Sequence, residues 1–143
     1  MKTKRLMLFF LSLAAIVQAY AQSAKPIFSD NDKEYWYYLV FESGKTVVAD
    51  QGLNNPLVTR IADKERKNQL WKFLGNENEF ILINKETDNA AGFLSGYVRS
   101  VTKEDASKFR LVASPLKDME NGWEIEYTEK GDEYNKWNQW GGS

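Results

Sequence analysis

Tyr37, Phe80 and Trp123 each stand two residues ahead of an aliphatic partner (Leu39, Leu82 and Ile125), and the three pairs are spaced by 43 residues and again by 43. This recurrence restricts the fold more than any other feature of the chain. A unit of about forty residues cannot bury its own apolar face, so it must stack on or close with its copies. Short runs of strand-forming residues surround the pairs. Tyr35–Phe41, Thr46–Asp50, Leu57–Ile61 and Leu70–Leu74 form one series, and Phe80–Asn84, Gly92–Leu94, Tyr97–Val101 and Phe109–Val112 a second. Trp123–Tyr127 and Lys136–Trp140 follow. Turn formers separate the runs: Ser43-Gly44, Gly52 with Asn54-Asn55-Pro56, Gly75-Asn76, Asn121-Gly122 and Gly131-Asp132. No stretch of ten residues keeps a helical period.

Such a pattern predicts an all-β sandwich or barrel. Repetition decides between them in favour of a β-trefoil, three units closed about a pseudo-threefold axis, with repeats at about 35–75, 76–117 and 118–143. A later strand in the first two units also matches, as Trp71-x-Phe73 and Phe109-x-Leu111. Leu39, Leu82, Ile125 and Trp71 are the expected structural core. The third unit supplies two strands where the others supply four. The expectation is a fragment of a larger secreted protein, or a barrel edge without a partner and open to self-association.

The N-terminus reads as a secretory signal peptide over residues 1–21. Lys2, Lys4 and Arg5 form a basic head, Leu6–Val17 is an apolar run, and Ala19-Tyr20-Ala21 presents small-x-small before Gln22. The run is shorter than the roughly 20 residues that span a bilayer as a helix. No cysteine follows it, which excludes a lipid-modified N-terminus. A product cleaved at Ala21/Gln22 and secreted or periplasmic, with no integral span, is expected. Residues 22–34 read as a polar leader, broken by Pro26 and by Ser29-Asp30-Asn31-Asp32.

Loss of residues 1–21 leaves 16 Lys/Arg against 20 Asp/Glu, a balance that argues against nucleic-acid binding. With no cysteine, the fold rests on apolar packing, and thiol nucleophiles and cysteine metal sites are excluded. With no histidine, the commonest general base and transition-metal ligand are missing. No cofactor or metal is expected, and a non-enzymatic protein is the reading. Glu124, Glu126 and Glu129 invite a glycosidase dyad. Glu124 and Glu126 lie on one face of an alternating strand, so a solvated face, with Trp123, Ile125 and Tyr127 inward, is the simpler expectation. Asp30, Asn31 and Asp32 lack the glycine and closing glutamate of a calcium loop.

At Asn68-Gln69-Leu70-Trp71, within Gly44–Phe73, a Gln-x-Trp motif stands in a trefoil unit, and the stretch resembles one repeat of the ricin B-type lectins, also a carbohydrate-binding module family. The tail Trp137-Asn138-Gln139-Trp140-Gly141-Gly142 resembles the last repeat of exported trefoil domains of Bacteroidetes, commonly joined to glycan-degrading machinery. The resemblance implies a carbohydrate site in which Asp50 accepts hydrogen bonds from sugar hydroxyls. Asn68 would assist, with Gln69 behind it and Thr59 where the family often has glutamine. Ile61 stands where a stacking aromatic is expected; Tyr97 or a nearby loop aromatic is the substitute. Gln69 tying a loop and Trp71 filling the core is the structural alternative. In the second repeat Ser107-Lys108-Phe109 replaces the motif, and Asp88 reads as a turn residue. The mixed-charge stretch Asp63–Lys67 would rim the first pocket. The implied function is an exported, non-catalytic glycan-binding module accessory to glycan degradation. The alternative is a degenerate trefoil serving as a structural or protein-interaction domain.

Overall fold

In the chain's computed structural model, residues 4–5, 7–8, 25–40, 46–113, 123–128 and 138–139 are described. The fold is all-β. Its strands are β1 (Lys4–Arg5), β2 (Met7–Leu8), β3 (Thr46–Ala49), β4 (Val58–Ile61), β5 (Trp71–Asn76), β6 (Glu79–Asn84), β7 (Ala90–Leu94), β8 (Tyr97–Val101), β9 (Phe109–Ala113), β10 (Trp123–Tyr127) and β11 (Asn138–Gln139). Two single 3-10 turns interrupt them, η1 at Lys67–Gln69 and η2 at Lys103–Asp105.

The largest sheet runs β2-β10-β9-β6-β7-β8, with β5 also paired to β6; β3–β4 and β1–β11 form separate pairs. All named pairings are antiparallel, as expected for strands joined by short turns. The order hairpin, 3-10 turn, long strand occurs twice: β3–β4, η1, β5 and then β7–β8, η2, β9. The β5–β6 turn needs Gly75, at φ 127°, because a Cβ there would collide with the Glu79 carbonyl.

The recurring aromatic-aliphatic pairs converge on one core. Tyr37 and Leu39, Phe80 and Leu82, and Ile125 all enter it, together with Trp71, Phe73, Phe109 and Leu111; Trp123 packs against it half-buried. Rings touch in series, Phe73 to Phe80 at 5.0 Å between centroids, Phe80 to Phe109 at 6.1 Å and Phe109 to Tyr127 at 6.3 Å. Such contacts add to burial through edge and offset geometries.

Of the expected strand Tyr35–Phe41, the described part, Tyr35–Val40, does not form a regular strand. It joins the sheet through single bridges, Tyr37 to Trp71 and Val40 to Val47. Its alternation still operates: Tyr37 and Leu39 enter the main core while Tyr38 and Val40 enter a second cluster with Val47 and Leu70. Both faces are covered, so its pattern is continuously apolar.

Part of the stretch expected to be a polar leader is structural. Phe28 packs edge-on against Phe73 at 5.8 Å and Phe80 at 5.6 Å, Pro26 is buried, and Ser29 bridges Leu74. Nearer the N-terminus, Met7–Leu8 pairs with Trp123 and Glu124, and Lys4–Arg5 pairs with Asn138 and Gln139. The cleavage motif Ala19–Ala21, the turns Ser43-Gly44, Asn121-Gly122 and Gly131-Asp132, Glu129, and Trp137 and Trp140 of the tail lie outside the described residues.

One expectation is corrected at β10. Glu124 and Glu126 are buried, at 1% and 7% exposure, and do not line a solvated face. Register explains Glu126: it lies opposite Arg110 of β9, which grips its carboxylate through Nε at 2.8 Å and Nη2 at 2.6 Å. A paired, hydrogen-bonded carboxylate is the form in which burial is tolerated.

Candidate functional site

The residues expected to hold a sugar gather around the β3–β4 hairpin, whose register sets Val48 opposite Thr59 and Ala49 opposite Val58. Asp50 follows β3 and is 2% exposed. Its Oδ1 accepts the Gly52 N–H at 2.7 Å, and its Oδ2 accepts the hydroxyls of Thr87 at 2.5 Å and Ser100 at 3.0 Å. The carboxylate is therefore directed into the protein and occupied by two side chains of the second unit. A sugar-accepting carboxylate has to face solvent, and this one does not.

Asn68 is half-buried and lies beside Asp50. The two residues exchange bonds, Asp50 N–H to the Asn68 carbonyl and Asn68 Nδ2 to the Asp50 carbonyl, both at 3.0 Å. Gln69, 1% exposed, accepts the Asp63 N–H at Oε1 (2.8 Å) and donates from Nε2 to the Ile61 carbonyl (3.0 Å). Trp71 is fully buried and donates from Nε1 to the Val48 carbonyl at 3.0 Å. The Gln-x-Trp motif thus ties η1 and β5 to the hairpin. Thr59 is half-buried on β4, and Ile61 at the end of that strand is 80% exposed. Structure brings Asp50 and Asn68 together, and puts Asp50 and Gln69 inside.

The acid is covered by a long-range pairing. Residues 54–57 lie along β8, with Asn54 N–H donating to the Ser100 carbonyl, Ser100 N–H to the Asn55 carbonyl and Leu57 N–H to the Val98 carbonyl. Around Asp50 the polar groups are satisfied in series. Asn84 Oδ1 accepts the Glu86 and Thr87 N–H groups, Asn84 Nδ2 donates to the Asn68 carbonyl, and Asn89 Nδ2 donates to Ser100 Oγ. A complete network of this kind fixes one arrangement of the two units.

A different surface is open. In the second unit a two-residue turn, Ser95-Gly96, replaces the long loop of the first, and both residues have positive φ (54° and 82°), as a type I′ hairpin requires. Leu94 and Tyr97 face each other across the tip on one side, with Gly92 and Arg99 next on that side. Tyr97 and Leu94 are each 54% exposed. The Arg99 guanidinium sits over the Tyr97 ring at 5.6 Å and donates to the carbonyls of Leu94 at 3.3 Å and Asn54 at 3.1 Å. On the other side Phe93, 43% exposed, leans on Tyr127 at 5.5 Å, which anchors the tip to the aromatic core. The hairpin was legible in Phe93-Leu94-Ser95-Gly96-Tyr97-Val98, a two-residue Ser-Gly turn between apolar residues; Arg99 was missed.

The remaining candidates resolve into local structure. Asp30 Oδ1 accepts the Asp32 and Lys33 N–H groups, both at 2.8 Å, and the N–H groups of Lys33 and Asp32 hold its carboxyl below the usual range. Asp88 lies in the turn after β6 at φ 59° and pairs with Lys103 at 2.6 Å. Asp63 pairs with Arg66 at 3.7 Å on an exposed loop. Burial raises the Tyr38 hydroxyl above its ordinary pKa, and the Asp63 charge adds to the effect. Among the described residues, no helix is long and apolar enough to cross a membrane, and no cluster of three or more acidic residues could hold a metal ion.

Compared with protein-family models, curated proteins and solved structures, the chain matches none.

Proposed function

We propose that this chain is an exported, non-catalytic β-trefoil of the ricin B-type lectin kind, whose task is to hold a glycan. Three features support the trefoil. The aromatic-aliphatic pairs meet in one core, the hairpin, 3-10 turn and strand order repeats, and β5, β6, β9 and β10 pair in the sequence a closed barrel of repeated units needs. Residues 1–21 are the leader that sends the product to the periplasm or the exterior. The partner is a glycan, with no cofactor, metal or nucleic acid. Glu126, buried and gripped by Arg110, reads as a structural acid, not as half of a catalytic pair.

One observation carries the glycan reading: Tyr97 stands at the β7–β8 tip with 54% of its surface exposed, backed by Leu94 and Arg99. An exposed aromatic face takes the apolar face of a sugar ring, and neighbouring donors fix its orientation. On this reading the stacking platform belongs to the second unit. A glycan array probed with the full chain and with Tyr97→Ala tests it. Binding that falls at least ten-fold in Tyr97→Ala, with an unchanged melting temperature, is expected. Binding indifferent to Tyr97 refutes the platform.

A protein-interaction trefoil is the second reading, and a specific pairing favours it. Met7–Leu8 covers the outer edge of β10 at Trp123 and Glu124. If the leader is removed, that edge is left for another strand, such as one from a second copy. Sedimentation of the processed chain decides this reading: a dimer supports it, and a monomer that binds sugar returns the first.

A further inference from the structure

From the hairpin tip we infer that the glycan is acidic: a uronic-acid residue whose ring stacks on Tyr97 while its carboxylate is held by Arg99. This rests on the glycan reading and gives it a substrate class. Arg99 is half-buried, and among the described residues no carboxylate lies within ion-pair reach of it. Its Nε and Nη1 are committed to the carbonyls of Leu94 and Asn54, and its central carbon sits over the Tyr97 ring, 5.6 Å from the centroid. Among the described residues Nη2 has no hydrogen-bond acceptor. The result is a guanidinium held by three contacts, with no carboxylate beside it among the described residues and with Nη2 left for a ligand. Carboxylate is the ligand group that matches the planar donor edge of arginine. Because three contacts already immobilise the side chain, little further ordering is lost when a ligand docks. The exposed aromatic and aliphatic surface beside the charge is what distinguishes a sugar acid from a small free anion. A bare anion would use Arg99 and leave Tyr97 and Leu94 in water. Long-range attraction is not the source of the preference, since the chain without residues 1–21 carries 16 Lys/Arg against 20 Asp/Glu. The contact is local.

The test uses the full chain on an array of uronic-acid oligosaccharides, each printed beside its carboxyl-reduced, neutral form. Acidic members should bind at least about ten-fold more tightly than their reduced partners, the factor expected for one charge-assisted pair. Arg99→Gln should erase that difference while leaving weak binding of both forms. Arg99→Lys should restore only part of it, since an ammonium lacks the planar fork. Tyr97→Ala should weaken acidic and neutral forms alike, and it does not disturb the two carbonyl contacts of Arg99. If reduced and acidic forms bind equally, the acidic preference is wrong and the glycan reading stands. If a chain with a cooperative melting transition binds neither form, both are wrong.

Discussion

Removing the Asp50 carboxylate separates the two roles it could have. In Asp50→Ala the Gly52 N–H and the Thr87 and Ser100 hydroxyls all lose their acceptor. Hydrogen bonds to a charged group contribute about 1.5–3 kcal/mol each, and a buried donor left unmade costs a similar amount. The hydroxyls keep secondary partners, since Thr87 Oγ1 also reaches Asn84 Oδ1 at 3.4 Å and Ser100 Oγ still receives Asn89 Nδ2 at 3.1 Å. The summed loss is therefore about 3–4 kcal/mol, below a simple total. For a domain of this length that lowers the melting temperature by roughly 10–15 °C. Asp50→Asn keeps an acceptor for Gly52, and the hydroxyls can rotate to receive its amide, so it should cost only about 1 kcal/mol. Thermal denaturation followed by circular dichroism, with glycan binding measured on the same samples, provides the assay. Graded losses of stability, with binding by the folded fraction retained, are expected. An Asp50→Ala chain that melts like the parent but no longer binds sugar would refute the argument, because the carboxylate would then face a ligand.

Other substitutions probe the frame that holds the hairpin. Phe73→Ala empties a position touched by Phe28, Tyr37 and Phe80 and should destabilise by about 3–5 kcal/mol, read from urea midpoints. Gly92→Ala puts a Cβ 2.6 Å from Val101 Cγ2 within the β7–β8 hairpin and should cost about 1–3 kcal/mol, with the loss visible in the same denaturation curves. Arg110→Met leaves Glu126 buried without its guanidinium; since Arg110 is itself 49% exposed, a loss of about 1–2 kcal/mol is expected, read from the same urea midpoints. Burial raises the Tyr37 hydroxyl above its ordinary value of 10.0, and the Ile27 N–H pulls the other way. A raised folded pKa gives stability that is complete below the unfolded value and lost as pH climbs through the folded one. The urea midpoint should thus fall above pH 10, and that fall should shrink in Tyr37→Phe.

Periodicity made the strands legible because it is local. Tyr97–Val101 and Trp123–Tyr127 occur at the bounds their alternation predicts, and the 43-residue recurrence picks out residues that share one core. What alternation cannot say is which face is inside. At β10 both faces are covered, so Glu124 and Glu126 are buried although every second residue is apolar. Arg110 makes this possible for Glu126, and its place opposite that acid is set by the β9–β10 register, not by any local pattern. Phe28 was likewise hidden, because a lone apolar pair among polar neighbours has no period; its burial comes from the gap over Phe73 and Phe80.

The candidate site moved for a reason that can be traced to one difference between the first two units. After β3 the chain takes eight residues, 50–57, to return to β4; after β7 it takes two, Ser95 and Gly96. The longer connection has enough backbone to lie along β8 and bond to Val98 and Ser100, and in doing so it carries Asp50 into contact with Ser100 and Thr87. Its own carbonyl at Asn54 then receives Arg99. The shorter connection cannot fold back, so Leu94 and Tyr97 remain at an exposed tip, with Arg99 fixed beneath them by the neighbour's loop. The loop that closes the acid of the first unit is thus the same element that sets the guanidinium of the second. A motif reading, confined to one repeat, assigned the sugar to Asp50 because it could not see that a loop of that length would be spent on the adjacent unit.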